Sequence, residues 1–189
     1  IKLNANLVLL PNIQNKKSRD DLTKLNIPFV EIGHERLSDI IAGLYTLNNK
    51  LRANRIEKVV EFERFFKTKQ KTSKPLRVLV VISEDVSGDR LSAVRVASLQ
   101  TIYSDLLNVL GHKNVINSVL PYPVLSLEEL LKLDVDIIVR VGPEDKNEIR
   151  RAWNNSPFKA KVQYVLKDYS VVTGPRLVML YNELEGILK

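Results

Sequence analysis

Cysteine is absent from this 189-residue chain, and its absence excludes disulfides, thiolate metal sites and cysteine nucleophiles. Histidine is nearly absent, with only His34 and His112. Neither is accompanied by the His/Asp/Glu set that a bound manganese or zinc ion needs, so no direct metal site is expected. Nothing approaches the ~18 consecutive apolar residues that a membrane span requires. There is no glycine-rich phosphate loop, no Gly-x-Ser-x-Gly and no Cys/His pair, so no catalytic motif supports an enzyme. The opening Ile1-Lys2-Leu3-Asn4-Ala5-Asn6 lacks an initiator Met and the ordered regions of a signal peptide. A processed product or a fragment is expected, and the missing signal decides nothing about compartment.

With 44% hydrophobic residues, the chain can fill one core or two modest ones. Its net charge of +7 is unevenly placed. Lys50 to Arg77 holds ten of the 29 basic residues and three of the 22 acidic ones, which leaves 19 of each elsewhere. A nucleic-acid patch is one reading of that excess. A solvated helix face with pairs such as Glu63–Lys67 is preferred, because no aromatic or glycine-rich binding motif accompanies it.

The longest patterned stretch runs from Leu37 to about Lys71. Apolar residues recur at Leu37, Ile40, Ile41, Leu44, Leu47 and Leu51, then at Ile56, Val59, Val60, Phe62, Phe65 and Phe66. Steps of three and four predict one helix over about 37–70, with Ser38 as N-cap and Gly43 its one weak residue. At 1.5 Å per residue it would span roughly 50 Å and act as a strut between two α/β pieces.

Before the strut, Leu7–Leu10 predicts a strand, Ser18–Leu25 a helix capped by Ser18, and Asn26–Ile32 a second strand. Strand–helix–strand implies parallel pairing, and two strands make a poor sheet, so the first lobe looks incomplete. After the strut, Arg77–Ile82 predicts a buried strand followed by a polar loop, Ser83–Arg90. A helix to Leu110 stopped by Gly111, a strand at Asn114–Ile116 and a helix at Leu127–Leu133 follow. Then come a strand at Val135–Val139, a helix at Lys146–Trp153, a strand at Lys161–Leu166 and a helix opening at Pro175. Ligands of such sheets sit outside the carboxyl ends of the strands.

Several phrases resemble a known family. Ile1–Leu9 and Leu25–Val30 resemble two of its first-lobe phrases, although Ala5-Asn6 replaces a usual Pro-Asp. The second lobe matches better, through Leu106–Val115, Leu125–Leu131, Asp134–Ile138 and Gly174-Pro175-Arg176-Leu177. The succession is similar to the substrate-binding proteins of ABC importers for vitamin B12, ferric siderophores and haem, without the opening third of their first lobe. The resemblance implies an α/β protein with an incomplete N-terminal lobe (1–36), an inter-lobe backbone helix (37–72) and a C-terminal lobe (73–189). It implies a non-enzyme that captures an iron chelate or cobalamin in a cleft and passes it to a membrane permease and its ATPase. Such a protein has no cofactor of its own and no nucleic-acid partner. It works in the periplasm or anchored on the outer face of the cytoplasmic membrane, peripheral to it at most.

On this reading Tyr169 matches a cleft-facing aromatic, and Arg90 is a cation for an anionic chelate. Asn12 and Gln14 occupy the first-lobe loop facing the ligand. Glu128, in the first turn of its helix, matches a glutamate that meets permease arginines; a local capping role is the alternative. From other classes, a flavodoxin-like enzyme or regulatory domain lacks room for the strut. A nucleic-acid-binding domain would use the basic segment 50–77.

Overall fold

A computed structural model of the chain describes residues 5–12, 16–68 and 72–189. The apolar run ending at Pro11 forms β1 (Val8–Pro11), α1 (Lys16–Lys24) crosses over, and β2 (Phe29–Ile32) returns. The two strands pair in parallel, from Val8 opposite Phe29 to Pro11 opposite Ile32. A parallel pair needs such a crossover. Ser18 lies inside α1, which already includes Lys16, and so does not cap it. α2 (Leu37–Lys50) packs on this small sheet so closely that a Cβ on Gly43 would meet Cγ2 of Ile32 at 2.6 Å. That close approach is why the helix tolerates a glycine.

The single strut expected over 37–70 does not form. α2 stops at Lys50, and α3 (Ile56–Lys67) folds back along it. Arg52 and Asn54 take left-handed φ angles of 48° and 49°. Asn48 closes the reversal: its Oδ1 accepts from the Arg55 N–H at 2.8 Å, and its carbonyl from the Ala53 N–H at 3.0 Å. Farther along, the Tyr45 hydroxyl donates to Glu63 across the pair at 2.7 Å. The apolar spacing belongs to two helices facing one core. The step from Leu51 to Ile56 is five, out of phase for one helix face, and asparagine side chains compete with helical hydrogen bonds. The segment 37–72 is thus a helical hairpin, with residues 69–71 outside the described residues. Its N-cap is Arg36 and not Ser38, since the Asp39 carboxylate accepts from the Arg36 N–H at 3.1 Å.

The rest of the chain builds a six-stranded mixed sheet. Its strands are β3 (Arg77–Ser87), β4 (Arg90–Val96), β5 (Lys113–Asn114), β6 (Val124–Ser126), β7 (Ile137–Val141) and β8 (Val162–Val165). The order is β6-β4-β3-β7-β8, with β5 also on β3. β3, β5, β7 and β8 run parallel, while β4 is antiparallel to β3 and β6 to β4. The polar loop expected at Ser83–Arg90 is instead the far half of a β3–β4 hairpin turned at Gly88 (φ 61°). Leu91 and Val94 on β4 are buried, which gives that half an apolar reason to form.

Four helices complete the unit: α4 (Ile102–Leu110), α5 (Leu127–Leu131), α6 (Asn147–Asn154) and α7 (Leu177–Ile187). The expected Gly111 stop of α4 is present, at φ 89°. Alternation divides the sheet's two faces. Val78, Val80, Val139 and Val141 face α2, α3, α4 and α7, while Leu79, Val81 and Ile138 face α5 and α6. A register shift between Val81 and Ser83 changes the phase of β3, so that Glu84 reaches Trp153 on α6.

Candidate functional site

The carboxyl ends of β7 and β8 and the middle of β3 define one edge of the large sheet. Three loops converge there around the start of α4. The Ser98 N–H donates to Pro121 at 2.9 Å, the Leu99 N–H to Ile116 at 3.2 Å, and the Tyr103 hydroxyl to the Ser170 carbonyl at 2.8 Å. The carboxyl end of β2 in the first lobe reaches the same place. The loop Gly33–Arg36 ends in a bidentate bridge, with Arg36 Nε and Nη2 donating to Asp105 on α4 at 2.9 and 2.6 Å. The Leu37 N–H adds a third bond to Asp105 at 2.8 Å. This hydrogen-bonded carboxylate raises the guanidinium pKa of Arg36. The strand-end loop of the first lobe is therefore bridged to the first turn of α4, at the edge of the sheet where open α/β sheets bind ligands.

The junction is apolar at its margins and polar within. Leu99, Val119, Leu120, Val171 and Val172 are exposed on the converging loops. Burial, with a smaller contribution from the Glu35 charge, pushes the Tyr122 phenol up to about 12. The Tyr103 phenol is raised further by burial and, secondarily, by Tyr122. Among the described residues, two buried side-chain atoms lack a hydrogen-bond partner: Glu35 Oε2 and Ser104 Oγ. They neighbour Arg36 and Asp105 in the chain, the two residues that bridge the lobes.

A second polar group lies on the α6 side of the same edge. Arg140, only 4% exposed, donates to both carboxylate oxygens of Glu84 at 3.2 and 3.4 Å, and to the carbonyls of Gly142 and Glu144 at 3.2 and 2.8 Å. The Trp153 indole N–H donates to the same carboxylate at 3.0 Å. A Cβ on Gly142 would sit 3.0 Å from Arg140 Nη1, in a backbone with φ 138°. The network fixes the loop after β7 on the far half of β3.

The structure separates the residues singled out from sequence. Asn12 follows β1 and donates its N–H to Ile32, on the edge that carries Gly33–Arg36; Gln14 lies outside the described residues. Tyr169 is 9% exposed, and its hydroxyl donates to Glu183 on α7 at 2.8 Å. Arg90 opens β4 at the hairpin tip. There it lines a groove of about 660 Å³ with Leu127, the neighbour of Glu128, and is not gathered with Tyr169. Glu128 is exposed in the first turn of α5, while its neighbour Glu129 forms the capping box with Ser126. His112 is buried, and its Nδ1 accepts from the Leu76 N–H at 3.1 Å; burial lowers its pKa. No group of three metal-ligating side chains occurs among the described residues. Sequence reasoning missed Glu35, Tyr122, Arg140 and Glu84, and also the apolar loop residues. The available signals were Leu99, Val119-Leu120 and Val171-Val172, apolar residues outside any helix or strand.

An apolar groove of about 480 Å³ lies elsewhere. It runs between α2 and α3 near their turn, beside Leu47, Leu51 and Phe62. Arg36 stands at the opposite end of α2, so this groove is separate from the junction. Among the described residues no helix is long and apolar enough to cross a membrane.

No protein-family model matches the chain. A curated relative, the vitamin B12-binding protein of Photorhabdus laumondii, is 29% identical over 86 residues, which are 45% of this chain and 31% of that protein. The match thus spans about a third of that relative's length. Solved structures match over nearly the whole chain. A possible iron-binding (periplasmic solute-binding) protein from Staphylococcus epidermidis superposes with a TM-score of 0.75 at 16% identity, covering 97% of this chain and 76% of that one. The periplasmic heme-binding protein BhuT in complex with two hemes gives 0.75 at 17%, covering 97% and 74%. The periplasmic vitamin B12-binding protein BtuF of Vibrio cholerae gives 0.66 at 16%, covering 97% and 73%. At such identities the likeness is one of fold: the chain is similar to the periplasmic solute-binding proteins and carries their two-lobed α/β architecture.

Proposed function

We propose that the chain is the ligand-capturing part of an ABC importer, holding an iron chelate or cobalamin between its lobes and delivering it to a membrane permease coupled to an ATPase. The observation that supports this reading is the junction at Arg36 and Asp105, where the loop after β2 is bridged to the first turn of α4, next to loops of the second lobe that expose apolar side chains. A flat macrocycle or chelate suits such a place, because apolar margins desolvate its faces while a few polar groups fix its orientation. On this reading residues 1–36 and 73–189 are the two lobes and the 37–72 hairpin braces them. Asn12 and Gln14 contribute from the first lobe, and Tyr169 stiffens the loop after β8. Arg90 stands with Glu128 on the surface turned to the permease. The protein performs no chemistry of its own and works outside the cytoplasmic membrane, in the periplasm or anchored at the outer face.

The bidentate Arg36–Asp105 bridge limits opening of the lobes, so selection rests on the side chains lining the junction more than on large motion. Equilibrium titration of the chain with hemin, cyanocobalamin and a ferric hydroxamate tests capture directly. Saturable one-site binding of at least one of them is expected, and failure with all three contradicts the reading. Delivery is tested separately with Glu128→Ala. That change removes at most a first-turn helix term of about 0.3–1 kcal/mol. Melting and chelate affinity are expected to hold while binding to the permease weakens.

A further inference from the structure

The groove between α2 and α3 has a charged end and an apolar body. Its volume of about 480 Å³ falls within the range of small-molecule sites. Leu44, Leu47, Val59, Phe62 and Phe65 wall it, and Pro175 and Val178 at the start of α7 close a third side. Helix interiors spend their backbone N–H and C=O groups on themselves. Along the α2 and α3 walls an occupant therefore finds apolar contact and no peptide hydrogen bonds.

The end at the α2–α3 turn differs. Arg55 and Lys58 line it beside Leu51, which is 57% exposed. Lys58 is held by Glu61 at 3.0 Å, whereas no carboxylate pairs with Lys50, Arg52 or Arg55 among the described residues. Residues 50–58 carry four cations against one acid, Glu57. α3 begins there without a side-chain cap, so its N-terminal dipole adds to the positive field. From this end the apolar walls run inward to Leu44 and Phe65. Nine helical steps separate Ile56 from Phe65, about 14 Å, a length that a medium alkyl chain spans.

We propose that this groove holds the alkyl chain of an anionic amphiphile, with its carboxylate or phosphate head on Arg55 and Lys58. Charge complementarity selects the head, because a cationic amphiphile would gain the same tail contacts but meet repulsion at Arg55. The apolar walls and their length select the tail. The site goes beyond chelate capture and does not rest on it, since Arg36 stands at the far end of α2.

Calorimetric titration of the chain with laurate, dodecylammonium and acetate, below micelle formation, tests the site. Laurate is expected to saturate one site, dodecylammonium to bind at least tenfold more weakly, and acetate to show no binding. Arg55→Gln is expected to weaken laurate about fivefold, the upper range for an exposed ion pair, and Arg55→Lys to recover most of that loss. Leu51→Ser is expected to weaken laurate and dodecylammonium alike. Both side chains are exposed, so melting should match the wild type. Sedimentation with phosphatidylcholine vesicles, with and without phosphatidylglycerol, separates the two sources of such a ligand. Co-sedimentation only with the anionic vesicles, lost in Leu51→Ser, assigns a bilayer phospholipid; laurate binding without co-sedimentation assigns a free fatty-acid anion. Equal affinity for laurate and dodecylammonium overturns the proposal, as does laurate binding indifferent to both Arg55→Gln and Leu51→Ser. Absence of both laurate and vesicle binding overturns it too, and a dimer dissolved by Leu51→Ser would then give the groove to a second copy of the chain.

Discussion

The two lobes hold themselves together by different means. The large sheet of the second is covered on both faces, with Val78, Leu79, Val80 and Val81 all at 0% exposure. The two strands of the first leave Leu9 51% exposed, and Val30 is the one buried apolar side chain among their described residues. Apolar burial contributes about 25 cal/mol per Å², so the second lobe has its own source of stability. The first relies on its bond to the second, above all on Asp105 receiving Arg36 and the Leu37 N–H. The junction where a ligand is proposed to sit is thus set by a polar bridge between a rigid body and a lightly packed one.

The sharpest way to break this contrast is to attack the second lobe from within. Arg140→Met leaves the Glu84 carboxylate buried without its cation and is expected to cost about 3–5 kcal/mol in chemical denaturation. Adding Glu84→Gln is expected to recover part of that loss, because the uncompensated charge disappears. Leu79→Ala opens a cavity at a fully buried position and is expected to cost about 2–5 kcal/mol. The matching change in the first lobe, Leu9→Ala, is expected to stay within about 0.5 kcal/mol. Equal losses at Leu79 and Leu9 would erase the distinction between the lobes.

Cutting the bridge comes next. Asp105→Asn keeps the shape but removes the charge, and Arg36 is partly exposed, so about 1–2 kcal/mol is expected. The more telling readout is local. Amide exchange should quicken in β2 and Gly33–Arg36 while β3 and β7 stay protected; a uniform change would mean that the lobes unfold as one. The smallest effect is one of pH. Burial favours neutral His112, whose ordinary pKa is 6.5. Above that value both folded and unfolded states are neutral and stability is unaffected. Below it the unfolded chain takes up the proton first, and stability falls as pH falls. His112→Asn is expected to flatten that slope, as followed by melting between pH 7.5 and 5.

Much of this was legible in the residues. The apolar runs at Val78–Val81 and Ile137–Val141 have the even burial of central parallel strands, and Gly111 ends its helix where a left-handed residue is needed. Ser126 and Glu129 carry their capping box in the sequence itself. The helical hairpin was hidden because two helices facing a shared core repeat the same three-and-four spacing. Only the five-residue step at Leu51–Ile56 and the asparagines around it betray the turn. Strand β4 was obscured by the polar tip Ser87-Gly88-Asp89, although Leu91, Val94 and Val96 alternate with more exposed neighbours. The junction was least legible. Arg36 and Asp105 lie 69 positions apart, and an unpaired carboxylate oxygen depends on what surrounds it in space.

Amide hydrogen exchange of the chain with and without saturating cyanocobalamin, repeated with ferrioxamine B and hemin, locates the ligand most directly. Whichever chelate binds is expected to protect Gly33–Arg36 together with the loops at 98–104, 119–122 and 168–172. The groove at the α2–α3 turn should be unchanged. Protection confined to that groove, or to the second lobe alone, would contradict capture between the lobes.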